Sequence, residues 1–163
     1  MITQEILKEL LHYDPTTGIF TWKVKVWPGG IIGSIAGSIG WKGYWEVKLH
    51  SKKYKGHRLA WFYVYGIWPS NQIDHKDRIK LNNAIDNLRD VPQTINQQNR
   101  IEAQRNNLST GFHGVSYDKE SGKYRARIKT DGIRKHLGRY ETAELAYAAY
   151  LSAKKMYHPS YMP

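Results

Sequence analysis

Gln72-Ile73-Asp74-His75-Lys76-Asp77 sets a carboxylate directly beside an imidazole, and Asn96 follows 22 positions after Asp74. Hydrolysis of a phosphodiester needs a nucleophilic water, a Lewis acid on the phosphate and stabilisation of the departing oxygen. Asp74 offers an anionic oxygen and Asn96 a neutral amide oxygen, both suited to a hard divalent cation. His75 has a reference pKa of about 6.5, so it can be neutral near physiological pH and accept the water's proton. On its own an Asp-His pair is an ordinary turn, and Asp77 reads as a loop residue. Asn82 and Asn83 read as turn formers with a secondary reading as DNA contacts. His57 reads first as a satisfied histidine capping a helix against a hairpin, and Arg58 either as a phosphate contact or as half of a structural ion pair.

The elements that must position these residues follow from pattern. Residues 72–76 form a strand, 77–87 a polar loop, 88–91 a second strand, and a helix begins near Pro92 or Gln93. That order brings Asp74, His75 and the first helical turn, with Asn96, close together. Upstream, residues 3–12 predict an amphipathic helix with Thr3 as N-cap and Ile6, Leu7, Leu10 and Leu11 on one face. The turn Asp14-Pro15-Thr16-Thr17-Gly18 leads into a strand over IFTWKV. Residues 45–54 predict a hairpin closed near Ser51-Lys52-Lys53, and His57–Tyr65 a helix stopped by Gly66 and Pro69.

The ordered set Asp74-His75, Leu81-Asn82-Asn83, Asn87-Leu88-Arg89 and Asn96-Gln97-Gln98-Asn99 resembles the signature of HNH nucleases with the ββα-metal fold, in their phage and homing-endonuclease branch. LLHYDPTTGIFTWK, GSIG…KGYWEV and GHRLAW extend the resemblance over residues 5–100. It implies Asp74 and Asn96 as metal ligands and His75 as general base. It also implies Asn87 as the amide that braces the loop aiming His75. One Mg²⁺ or Mn²⁺ per active site is expected, because Asn96 stands where the family often has His and a nitrogen ligand suited to Zn²⁺ is lost. The resemblance further implies cleavage of double-stranded DNA to 5′-phosphate and 3′-hydroxyl ends. One catalytic module per chain predicts a nick from a monomer, with a homodimer or two visits needed to break both strands.

Residues 97–111, rich in Asn, Gln and Arg, mark a boundary, which predicts a nuclease domain at 1–100, a linker at 101–109 and a second domain at 110–163. There, Lys123, Arg125, Arg127 and Lys129 alternate with Tyr124, Ala126 and Ile128, which predicts a strand with one cationic and one apolar face. No acid interleaves those cations, which would repel unless an anion covered them. Thr130-Asp131-Gly132 predicts a hairpin turn, and 141–157 a helix packing through Ala143, Leu145, Ala146, Ala149, Tyr150 and Ala153. Gly114-Val115, KYRARI, Leu137-Gly138-x-Tyr140 and Thr142-Ala143-Glu144 resemble the AP2 DNA-binding domain, a three-stranded antiparallel sheet backed by one helix. By that resemblance the contact face maps onto His113, Ser116, Asp118, Arg125, Arg127, Lys129, Arg134 and His136. Arg125 and Arg127 would read bases, with Lys129 and Lys123 on phosphates.

Composition agrees with an α+β nuclease that binds DNA. The formal charge is +11, split +6 and +5 on either side of residue 100, which suits a polyanionic partner. Absence of Cys excludes disulfides, thiolate zinc sites and catalytic thiols. No run approaches the roughly 20 apolar residues of a membrane span, and MITQEILKELLHYD is not a signal peptide. The expected setting is the cytoplasm of a bacterial host, for a phage-encoded protein. The contrasting reading is a DNA-binding regulator on an inactive nuclease scaffold.

Overall fold

The computed structural model describes residues 2–26, 30–99, 110–158 and 161, with side chains to 96 in the first part. The chain divides into two compact units, Met1–Asn96 and Gln97–Pro163. The proposed linker 101–109 lies outside the described residues.

The first unit opens with α1 (Gln4–Leu10), capped by the Thr3 side chain, which accepts from the Ile6 N–H. The helix ends before Leu11 because Leu11–Tyr13 becomes β1, which pairs with β2 (Phe20–Trp22) in the register Leu11↔Trp22. Leu7 and Leu11 are fully buried, whereas Ile6, expected on the same face, is exposed. Next come β3 (Ser38–Ile39), β4 (Trp45–Leu49) and β5 (Lys52–Lys55), a three-stranded antiparallel sheet in the order β3-β4-β5. Helix α2 (Gly56–Tyr65) follows at once and stops at Gly66, whose φ of 73° is the left-handed cap geometry that glycine adopts without strain. Leu7, Leu11, Phe20, Val47, Leu59, Ala60 and Phe62 share one apolar core.

Against that core stand β6 (Gln72–His75) and β7 (Leu88–Val91), antiparallel with Asp74 opposite Arg89 and His75 opposite Leu88. A 3₁₀ turn at Ile85–Asn87 precedes β7, and α3 (Gln93–Asn99) follows it. Ile73 and Leu88 are the buried apolar side chains that this strand pair adds to the core.

The second unit is β8 (Val115–Asp118), β9 (Lys123–Thr130) and β10 (Ile133–Tyr140) in the order β10-β9-β8, with α4 (Ala143–Tyr157) packed on it. Asp131 and Gly132 both take positive φ, 50° and 80°, as a two-residue turn matched to strand twist requires. Ala126 and Ile128 meet Ala146, Tyr150 and Ala153 of α4 in two adjoining apolar clusters. Leu145, expected among the packing residues, is exposed, and α4 begins at Ala143 rather than 141. Lys154 is buried instead, its ammonium 4.6 Å from the Tyr161 ring centroid.

Candidate active site and cationic sheet

Strand alternation puts Gln72 and Asp74 on one face of β6 and Ile73 and His75 on the other. On the first face the Arg89 Nε donates to Asp74 Oδ2 at 2.8 Å, and Asp74 is only 7% exposed. On that face too, the Asn96 amide nitrogen donates to Gln72 Oε1 at 2.8 Å, which ties the first turns of α3 to the strand of Asp74. Because Nδ2 is committed to Gln72, the Asn96 oxygen points to the other side of its amide. A carboxylate and an amide oxygen form a hard donor set, which fits Mg²⁺ or Mn²⁺ with water completing the shell. Among the described residues no three His, Cys, Asp or Glu cluster, so a site built of such side chains alone is absent there.

His75 is buried, and its Nε2 lies 3.2 Å from Asn83 Oδ1. Asn83 Nδ2 donates to the Leu81 carbonyl at 3.3 Å, so Oδ1 faces the ring and Nε2 is the donor. The lone pair then sits on Nδ1. Burial pushes the His75 pKa down, while the Asn83 bond and the carboxylates of Asp77 and Asp74 pull it up; the net shift is downward, toward the neutral base.

Asn83 was read as a turn former, with a DNA contact as the secondary reading. It is almost wholly buried and is clamped from two directions. The Tyr13 hydroxyl donates to its carbonyl at 2.7 Å, and burial raises that phenol's pKa so that it stays a donor. Gly18, at φ 73°, lies so close that a Cβ there would collide with the Asn83 carbonyl carbon and the Ala84 nitrogen. Nothing in composition separates Asn83 from its half-buried neighbour Asn82; the signal was three-dimensional.

The Asn87 side chain braces the loop that follows His75. Its amide donates to Asp77 Oδ1 at 2.9 Å and to the Asn82 carbonyl at 2.8 Å, and its oxygen accepts from the Asp77 N–H at 3.0 Å. Asp77, set aside as a loop residue, is the hub: it also accepts from the Ile79 N–H and from Asn82. Burial opposes its ionisation, but those hydrogen bonds outweigh it and hold the carboxyl below its usual range. Loop 76–84 is therefore cross-braced from within, and its last residues carry Asn83 to the ring.

His57 is not the satisfied histidine expected. It is buried, and its Nδ1 finds no hydrogen-bond partner. Its ring meets His75 edge-to-face, centroids 5.2 Å apart, and meets Tyr44 at the same spacing. Burial, reinforced by the positive charge His75, Arg58 and Lys55 would carry, lowers its pKa to about 3. Arg58 forms no ion pair among the described residues; it donates to the carbonyls of Asn71 and Pro69.

In the second unit, register places Ser116, Asp118, Lys123, Arg125, Arg127, Lys129, Arg134 and His136 on the face away from α4. The expectation that no acid interleaves these cations fails. Asp118 is buried among them, accepting from Arg139 Nε at 2.9 Å with Arg125 at 3.9 Å. The Arg139 hydrogen bond holds its carboxyl below the usual range. Asp118 is thus an internal counter-ion rather than a contact residue, and it draws Arg125 inward. Lys123 pairs with Glu141 at 2.6 Å. Arg127 is half-buried, and Lys129, Arg134 and His136 are exposed, all four on that face. His113 is turned the other way: its Nδ1 lies 2.7 Å from the Tyr150 hydroxyl on α4. Arg139 was missed because a bulge at Leu137 shifts the register between His136 and Gly138, so plain alternation assigns Arg139 to the wrong face.

Residues 54–98 match the HNH endonuclease family model, and this span holds Asp74, His75, Asn83, Asn87 and Asn96. Over that span, the chain is similar to the HNH endonuclease family. No curated protein matches the chain. A solved structure described as DNA binding and cleavage by the HNH homing endonuclease I-HmuI is similar at 26% identity, covering 83% of this chain and 74% of that one, with a TM-score of 0.44. Among the described residues no helix is long and apolar enough to cross a membrane.

Proposed function

We propose that this protein is a metal-dependent DNA endonuclease of the homing HNH type, which nicks double-stranded DNA. The observation that carries the proposal is the buried neutral imidazole of His75, fixed through Nε2 by Asn83, inside a segment that matches the HNH endonucleases. His75 Nδ1 takes the proton of the attacking water. The water oxygen bonds to phosphorus and the 3′ oxygen leaves, giving a 5′-phosphate and a 3′-hydroxyl. Asp74 and Asn96 would hold a divalent ion, which would supply Lewis-acid polarisation of the phosphate and offset developing negative charge. Because Asp74 and His75 project from opposite faces of β6, the phosphate sits across the end of that strand. Asn87 serves catalysis indirectly, by keeping loop 76–84 rigid.

The second unit selects where the first one cuts. Its sheet, AP2-like in layout, lies in the major groove, with Arg127 on base edges and Lys129, Arg134 and His136 along the backbone. Lys123 and Ser116 flank them, and Arg125 reaches DNA only by leaving Asp118.

One observation favours a second reading, a DNA-binding regulator without activity. Arg89 already sets a cation on Asp74, where the metal would bind. Supercoiled plasmid incubated with Mg²⁺ or Mn²⁺ decides between them. Nicked product from the wild type and none from His75→Ala supports the enzyme; no product from the wild type with either ion leaves the regulator.

A further inference from the structure

We propose that Trp41 stacks on a DNA base within a few nucleotides of the scissile phosphate, with Lys42 and Lys80 on the flanking phosphates. The inference rests on the nuclease reading for its substrate, and on a separate part of the surface for its evidence. Trp41 is 88% exposed at the tip of the β3–β4 turn, where its indole adds nothing to the core.

The turn is rigid. The Gly40 N–H donates to the Tyr44 carbonyl and the Gly43 N–H to the Gly40 carbonyl, each at 2.8 Å. Gly43 has a φ of 76°, which a side chain would strain. The base of the turn is fixed to the catalytic centre, since the Tyr44 ring lies 5.2 Å from that of His57 and 6.2 Å from that of His75. From the catalytic loop, the Lys80 ammonium reaches over the Tyr44 ring at 5.4 Å. From the turn, the Lys42 ammonium lies over the Trp41 ring at 4.8 Å. Neither lysine has an acidic partner among the described residues.

Tyr44 lies three positions after Trp41, a reach of at most about 10 Å in extended chain and less in a turn. Along one DNA strand successive phosphates advance about 3.4 Å along the axis. With the 6.2 Å from Tyr44 to His75 added, a strand whose phosphate lies at His75 passes the indole within roughly five nucleotides. An exposed indole with the Lys42 ammonium over its ring suits a nucleic-acid base, which offers a π-face beside an anionic backbone.

The test uses full-length protein. The nick made by the wild type is first mapped on plasmid, and short duplexes spanning it are made with 2-aminopurine at successive positions on either side. His75→Ala protein, which binds without cutting, should change the fluorescence at one position. Adding Trp41→Ala should abolish that change and weaken binding about 5- to 100-fold, as loss of one base–aromatic stack does. Trp41→Phe should retain most of both. Unchanged fluorescence and affinity in Trp41→Ala overturn the proposal, as does an effect confined to self-association in sedimentation. If the wild type makes no nick, the nuclease reading fails separately. The affinity of wild type and Trp41→Ala for a random duplex then decides the stacking, equal affinities overturning it.

Discussion

Replacing Asn83 by Ala removes the side chain that accepts from the His75 ring, the proposed general base. The change deletes the acceptor for His75 Nε2 and the donor to the Leu81 carbonyl, in a position that is almost fully buried. A buried donor left without a partner costs about 1–3 kcal/mol. In a unit the size of Met1–Asn96, each kcal/mol lowers Tm by about 4–8 °C, so a drop of about 4–20 °C is expected. The kinetic effect is separable. General-base catalysis contributes about 10²–10⁴, and a ring free to change tautomer and orientation should forfeit about one to two of those decades. Plasmid nicking well below the variant's Tm measures this without interference from unfolding. Asn83→Asp supplies the control, because it keeps the acceptor and adds a negative charge. That charge should raise the His75 pKa, so the Asp variant recovers activity as pH rises while the Ala variant does not. A folded Asn83→Ala protein that nicks at the wild-type rate, beside an inactive His75→Ala, would refute the assignment.

Three further outcomes follow from other contacts. His57 has a folded pKa of about 3 against an ordinary value near 6.5, so its contribution to stability is complete above pH 6.5 and is lost as pH falls toward 3. The loss amounts to roughly 4–5 kcal/mol, and His57→Phe should flatten the acid limb of a urea-unfolding series; an unchanged limb counts against the burial argument. Gly18→Ala, which drives a methyl group into the Asn83 backbone at a positive φ, should cost about 2 kcal/mol or more and slow nicking together with it. Arg127→Ala and Lys129→Ala should each lower the salt dependence of DNA binding by about one unit of slope, read by anisotropy across a salt series; Ser152→Ala, on α4, should leave the slope alone.

Features with local causes were legible in the sequence. Thr3 as a cap, Gly66 as a stop, the Asp131-Gly132 turn and the alternation of β9 all follow from backbone preference and periodicity. The two strands and helix around Asp74 and His75 were equally plain, since each is bounded by turn chemistry. What escaped depends on contacts distant in sequence. Asn83 differs from Asn82 only because Tyr13 and Gly18 reach it from a hairpin some 65 to 70 residues earlier. Asp118 reads as one more surface acid until the register sets it between Arg125 and Arg139. His113 lies outside any strand, so no alternation could fix its direction, and the bulge at Leu137 reverses the alternation that had been assumed. Leu11 joined a strand because pairing with Trp22 outweighed one more turn of helix.

The clamp on Asn83 also bears on how such a chain can be recombined. The segment similar to the family, 54–98, supplies only part of the apolar core, while the Tyr13 hydroxyl, the Pro15 carbonyl and Gly18 hold its loop from outside. A crossover that exchanged 54–98 alone would import a loop fitted to another protein's hairpin. The heritable unit is therefore larger than the shared motif: a working transplant begins before Tyr13, and junctions between 18 and 54 should yield chimaeras that keep every site residue and still misplace the base.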